Sequence, residues 1–334
     1  MQVVVYGAGA IGSVLGGMLA IHHHEVLLVG REALGEAVRR EGLRLKSGTG
    51  ERVAHPRVAT ALTPSDINAG THIFLTVKSY DVAAALSELG AVVPVDIPII
   101  CFQNGVASEP LAAEKFSNVY GGVCRMTCSM IHAGNASFQS LGRLVVGLHP
   151  RGSNATSRGI ALAFRAAGFD AASSRTIESD KWLKLALNTG TIVHAAVDPR
   201  DHESNEFHEL KALLLEEVQR VYRAGKIRAR SCDGRDPSIA EMIAELRRPV
   251  ARRTGHGVKP RNSLWQDLYL KRDQIESEYI HGPIIAMGRD HGVPTPYNRA
   301  MLGIARRLHE TGTGPETLRL MELYDAVEKA RKAS

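Results

Sequence analysis

Cysteine is scarce, with 4 in 334 residues, too few for a disulfide framework and in keeping with a reduced compartment. The four include no Cys-x-x-Cys pair. Cys124 and Cys128 therefore do not read as a zinc or redox motif, and buried thiols are the expectation for them and for Cys101 and Cys232. His22-His23-His24 ends a helix-like stretch, where adjacent rings point apart, so no metal site is expected there or elsewhere. Aromatic residues make up only 5%. The basic run Arg247-Arg248-Pro249-Val250-Ala251-Arg252-Arg253 has none interleaved for base stacking, so nucleic acid is not an expected partner. No apolar run reaches the roughly 18 residues of a membrane-spanning helix. The small and apolar run from Ala8 to Ile21 has no basic leader and opens in a glycine turn, so it reads as the start of a cytoplasmic protein rather than as a signal peptide.

What is present is a globular composition, 44% hydrophobic and 23% charged, in a chain long enough for two domains. The net charge of +6 is unevenly placed. Residues 223–261 hold eleven Lys and Arg against four Asp and Glu, while the remainder is nearly neutral. Such a segment reads as a solvated loop, or as a rim in which Arg252 and Arg253 steer anionic ligands.

Short β-branched runs (3–6, 25–29, 72–77, 97–102 and 118–123) alternate with helix-like stretches, predicting βα units and a parallel sheet. Residues 136–139 and 143–146, separated by Ser-Leu-Gly, predict a hairpin at the sheet edge. Strand signals end near Ser174. Phe207, Leu210, Leu213, Leu214, Val218, Val221 and Tyr222 recur at helical spacing up to Gly225, and further helices are predicted over 238–248, 261–271, 276–290, 297–310 and 315–332. The expected organisation is an α/β domain over 1–175 and an all-helical domain over 176–334.

Gly7-Ala8-Gly9-Ala10-Ile11-Gly12 follows the first predicted strand and opens a helix. In that context the first glycine permits the turn, the second lets backbone approach a pyrophosphate, and the third allows helix–strand packing. The helix N-terminus meets the phosphate charge. About twenty residues past such a motif, a carboxylate on the ribose hydroxyls marks NAD preference. Here stand Gly30 and Arg31, and an arginine can fork onto a 2′-phosphate, so NADP(H) is the expected cofactor.

Lys78, in Val-Lys-Ser-Tyr-Asp, and Asn104, in Gln-Asn-Gly, follow predicted strand ends, where open α/β sheets collect ligands. Lys78 offers a cation, and Asn104 both a donor and an acceptor for ribose, nicotinamide amide or substrate. Without the glycine motif, a surface lysine and an ordinary Asn-Gly turn would explain both. In Lys-Leu-Ala-Leu-Asn, helical spacing sets Lys184 and Asn188 on one face among leucines. Partial burial would make the lysine proton easier to give, although an amphipathic helix alone explains the pattern. On their own, residues 262–267 and 275–282 read as capping and surface positions.

These segments, with Ser-Leu-Trp-Gln-Asp, Glu-Ser-Glu-Tyr-Ile-His-Gly and His-Gly-Val-Pro-Thr-Pro-Tyr-Asn, run in an order that resembles the ketopantoate reductase (2-dehydropantoate 2-reductase) family from Met1 to about Asn298. The resemblance implies an N-terminal Rossmann-like doubly wound sheet, an all-helical C-terminal domain and an intervening cleft. It implies NADPH-dependent reduction of a 2-keto acid in pantothenate and coenzyme A synthesis, with a homodimer admitted as the assembly. Carried over by position, Lys184 is the general acid and Glu276 its catalytic partner. Asn104, Asn188, Ser263 and Glu276 hold the substrate, and Gly7 to Gly12, Arg31, Lys78 and Asn104 serve the cofactor.

Three positions depart from the family pattern. Ile192 stands at a family asparagine, one extra residue precedes Glu276, and His281 stands where asparagine is common. A reductase of another 2-keto acid, and an NADPH-binding sensor without catalysis, are the competing expectations; loss of a polar contact alters discrimination among polar substrates.

Overall fold

A computed structural model describes residues 1–249 and 261–332. The chain divides into two compact units: Met1–Gln103 with Ala107–Glu178, and Asn104–Val106 with the described residues from Ser179 onward. Arg252 and Arg253 lie outside the described residues.

The first unit contains strands β1 (Gln2–Tyr6), β2 (Glu25–Val29), β3 (Leu43–Ser47), β4 (Gly50–Ala54), β5 (Arg57–Ala59), β6 (Thr71–Leu75), β7 (Ile99–Cys101), β8 (Val119–Arg125), β9 (Cys128–His132), β10 (Asn135–Phe138), β11 (Arg143–Leu148) and β12 (Asp170–Ser173). Its helices are α1 (Ala10–Ile21), α2 (Glu32–Glu41), α3 (Val82–Val92), α4 (Ser108–Ala113) and α5 (Ala155–Ala166). The large sheet has the order β12-β11-β8-β7-β6-β1-β2-β5. Strands β5, β2, β1, β6, β7 and β8 run parallel, and β11 is antiparallel to β8. Strand order reverses at β1, which lies between β2 and β6, so the crevice at the carboxyl ends of β1 and β6 is the switch point where such sheets take ligands.

Side-chain alternation fixes the two faces of this sheet. Val3, Val5, Val26, Leu28, Phe74 and Ile100 enter one buried cluster, and Val4, Leu27, Ile73, Leu75 and Ile99 enter the other. The second cluster is closed by Val82, Leu86 and Leu89 of α3. The first is closed by α1, which a smaller sheet of order β4-β3-β10-β9 covers from the other side. A Cβ on Gly16 would stand 2.7 Å from Leu28 of the large sheet, and one on Gly17 would stand 2.8 Å from Leu43 of the small one. Contact on both sides explains why the run from Ala8 to Ile21 is so uniformly small and apolar.

The expected hairpin over 136–146 does not form. β10 pairs antiparallel with β9 and parallel with β3 in the small sheet, whereas β11 joins β8 and β12 in the large one.

The second unit is helical, with α6 (Ile177–Asn188), α7 (Thr191–Ala196), α8 (Asn205–Ala224), α9 (Ile239–Leu246), α10 (Ser263–Tyr269), α11 (Ser277–Asp290), α12 (Pro296–Glu310) and α13 (Leu320–Lys332). Helix α8 is buried along two sides. Phe207, Leu210 and Leu214 pack with α7, α10, α12 and α13, while Ala212, Leu215 and Val218 pack with α6, α9 and α11. The last helix starts five residues later than expected, because residues 316–318 are used otherwise. Glu316 and Leu318 donate backbone N–H groups to Ala195 and Ala196 carbonyls at 2.8 and 2.9 Å, satisfying the end of α7. No helix among the described residues is long and apolar enough to cross a membrane.

Candidate functional site

In the first unit the glycine turn divides its labour by position. Gly7 has φ +94°, and a Cβ there would lie 2.5 Å from Val77 N, so both conformation and space demand glycine. Its carbonyl is held by Thr76 Oγ1 at 2.8 Å. Gly12 is closed in by Thr76 Oγ1 at 2.4 Å and Val5 Cγ1 at 2.7 Å from a would-be Cβ, which is helix–strand packing. Gly9 differs: its would-be Cβ meets only Gly7 O, at 3.9 Å. The protein leaves that space open, beside Ala10, Ile11 and Gly12, whose amides start a 12-residue helix with no side-chain cap. An open cradle facing unsatisfied N–H groups fits a dinucleotide pyrophosphate.

Gly30 hydrogen bonds to Ala59 O at 3.0 Å and delivers Arg31 to the start of α2 in extended conformation and exposed. The neighbouring Glu32 is taken up by Arg39 at 2.5 Å, so it does not neutralise Arg31. Lys78 is half-buried just past β6, across the switch point. Asp81, on the short 3-10 turn that follows, shows where these two cations lie. Burial pushes its carboxyl up, and Arg31 and Lys78 pull it back down. Two cations at this rim suit a 2′-phosphate or a pyrophosphate. Gln103, 4% exposed, fixes the rim by donating through Nε2 to Leu75 O at 2.9 Å and Val77 O at 3.1 Å.

The second unit gathers a different set of residues. Lys184 on α6 is only 9% exposed, on a helix whose Leu183, Leu185 and Ala186 sit in apolar packing. One turn later, Asn188 Nδ2 donates to Asn104 Oδ1 at 3.3 Å. The next residue, Gly105, has φ +87° and so little room that a Cβ would lie 2.8 Å from Tyr279 O. Tyr279 is in the first turn of α11, directly after Glu276, which is 4% exposed and does not cap its own helix. Three remote stretches of sequence (104–105, 184–188 and 276–279) thus converge. Ser263 is half-buried as the first residue of α10.

Reading 262–267 and 275–282 as capping and surface positions needs correction. Asn262 does cap α10, but Asp267, Glu276, Ser277 and His281 are buried. Ile192 is fully buried, in one cluster with Leu264, Trp265 and Met301. Composition and spacing gave no signal for Glu217, also fully buried, which reaches from α8 to the start of α12. Its carboxylate accepts the backbone N–H groups of Tyr297 and Asn298 at 2.9 and 2.8 Å, and Asn298 Nδ2 at 2.8 Å. Of the four cysteines, Cys101, Cys124 and Cys128 are buried and Cys232 is half-buried. Of the basic segment, Arg247 closes α9 and pairs with Glu209 and Glu216 of α8 at 2.8 and 2.6 Å.

Comparison with known proteins identifies the family and the fold. The sequence profile described as "Ketopantoate reductase PanE/ApbA" matches residues 3–151, and its C-terminal counterpart matches residues 176–309. The chain is 28% identical to a 2-dehydropantoate 2-reductase of Halobacterium salinarum, over 93% of this chain and 100% of that one. The crystal structure of a PanE/ApbA family ketopantoate reductase from Ralstonia eutropha JMP134 matches with TM-score 0.76 at 24% identity, over 93% and 99% of the two chains. A D-mandelate dehydrogenase in complex with NADH and anilino(oxo)acetate has the same fold, with TM-score 0.76 at 22% identity over 93% and 99%. With both profiles matched in order across most of its length, this chain belongs to the ketopantoate reductase family and is an oxidoreductase.

Proposed function

We propose that the protein reduces 2-dehydropantoate to pantoate with NADPH, a step in pantothenate and coenzyme A synthesis, and that Lys184 is its general acid. A bound nicotinamide supplies the hydride. The chain supplies the rest: the Gly7–Gly12 turn and the α1 N-terminus hold the pyrophosphate, and Arg31, with Lys78 nearby, holds the 2′-phosphate. Asn104, Asn188 and Ser263 orient the keto acid. As the ketone oxygen becomes anionic, the Lys184 ammonium stabilises it and gives it a proton. Glu276 accepts the substrate hydroxyl and keeps the ammonium in place. The scarcity of cysteine supports a cytoplasmic setting.

The observation that carries this reading is the burial of Lys184 one turn from an Asn188–Asn104 hydrogen bond, with Gly105 pressed against the first turn of the Glu276 helix. A cation withdrawn from water beside convergent polar groups suits proton donation better than surface solvation. The test is the nicotinamide absorbance of the purified protein with ketopantoate and a panel of other 2-keto acids. Ketopantoate is expected to be the best substrate. Faster turnover of a keto acid lacking its hydroxyl would favour the second reading, a reductase for a less polar 2-keto acid, to which the fully buried Ile192 lends support. NADPH binding without turnover of any keto acid would leave a sensor.

A further inference from the structure

We propose that Asn262 is a positioning residue for this reaction, its side chain tying Ser263 to the Asn188 end of the site. The inference rests on the reading of Ser263 and Asn188 as substrate ligands.

Asn262 makes two side-chain hydrogen bonds in opposite senses. Its Oδ1 accepts the Trp265 backbone N–H at 2.9 Å, which caps α10. Its Nδ2 donates to the Thr191 carbonyl at 2.9 Å, across 71 positions of sequence. The amide orientation is fixed by its partners, because a backbone N–H can only donate and a carbonyl can only accept. A residue that merely capped could as well be Ser, Thr or Asp. Asp has no donor for Thr191 and a hydroxyl has a single oxygen for both partners, whereas the asparagine amide gives each partner an atom of its own.

The second bond continues inward. Thr191 Oγ1 donates to Asn188 O at 2.7 Å, and Asn188 Nδ2 donates to Asn104 Oδ1. Ser263 is bonded directly to Asn262 and is the first residue of a helix only seven residues long. So short a helix takes its position from its anchors rather than from its own cooperativity. One anchor is the packing of Leu264 and Trp265 in the same cluster as Ile192. The other is Asn262, which sets Ser263 relative to Asn188 through a chain of three hydrogen bonds ending at Asn104.

The experiment separates the two jobs. Asn262→Asp keeps an acceptor for Trp265 and loses the donor to Thr191. In this variant KM for the keto acid is expected to rise about tenfold, while kcat and the KM for NADPH move less than about threefold. The melting temperature should stay near that of the wild type, whereas Asn262→Ala, which also removes the cap, should lower it. If Asn262 acts through Ser263, Asn262→Asp should add nothing to the KM of Ser263→Ala. An unchanged KM in Asn262→Asp, or additive effects with Ser263→Ala, overturns the proposal while the wild type still turns over. A wild type that reduces no keto acid instead overturns the functional reading on which it rests.

Discussion

His281 Nδ1 donates to Asn298 Oδ1 across 2.8 Å, and the direction of that bond is set by a third residue. Asn298 Nδ2 is committed to Glu217, so its oxygen faces the ring, and the ring nitrogen that meets it carries the proton. Burial in the interior of the second unit holds the histidine neutral, pushing its pKa down from 6.5 to about 4 against the opposing pull of the Asn298 bond.

Stability is therefore expected to fall with acid. An unfolded chain protonates His281 below pH 6.5, and the folded one does so only near pH 4. The contribution is complete above the first value and lost as pH falls toward the second, about 3 kcal/mol in all. Glu217 acts with the opposite sign: burial raises its pKa, so its contribution is lost as pH rises. Urea unfolding of wild type and His281→Asn at neutral and mildly acidic pH isolates the histidine, and the variant should show the shallower acid loss.

Gly9→Ala and Gly12→Ala should fail in different ways. The Gly9 position has room for a methyl group within the protein but not with a pyrophosphate beside it, so the variant should fold with a near-wild-type melting temperature and lose most of its NADPH affinity. At Gly12 the methyl collides with Thr76 and Val5, and about 1–3 kcal/mol of stability should go. Thermal melts paired with nucleotide titration distinguish the two.

Gly105→Ala combines a left-handed backbone with a clash against Tyr279 O. It should cost about 2 kcal/mol or more in stability and raise KM for the keto acid, since Asn104 and the first turn of α11 are forced apart. Denaturant unfolding with steady-state kinetics checks both.

Arg31→Ala should lower kcat/KM for NADPH by about one to two orders of magnitude and leave NADH nearly unaffected. Parallel assays with the two nucleotides give the ratio directly.

Lys184→Ala should lower kcat by about two to four orders of magnitude with NADPH affinity retained. Single-turnover measurements and nucleotide titration on the same preparation separate chemistry from binding.

Much of this fold was legible where local chemistry decides the structure. Gly7, Gly9 and Gly12 after a β-branched run announce a strand–turn–helix, and the seven apolar positions from Phe207 to Tyr222 announce α8. The small sheet was not legible. β3 and β4 are five residues each and carry Arg, Lys and Glu among their apolar residues, and β3 takes its second partner, β10, from some ninety positions away. Spacing likewise suggested that 136–139 would fold back on 143–146, because three intervening residues suit a hairpin and nothing local specifies a different sheet. Lys184, Asn188, Ser263 and Glu276 were marked by family likeness rather than by physics, since a lysine among leucines has the same pattern on any amphipathic helix. Asn262 was visible as a cap, but its second bond depends on the carbonyl of Thr191, and backbone partners leave no trace in side-chain identity.

Because Asn104–Val106 leaves the first unit for the second and the chain then returns, the peptide crosses from one unit to the other three times. A chimera joined to a relative at one seam near Glu178 would therefore inherit Asn104 from one parent and Asn188 from the other. Exchange of complete units would need the tripeptide swapped as well, so recombination between homologues should succeed with all three crossovers more often than with a single one.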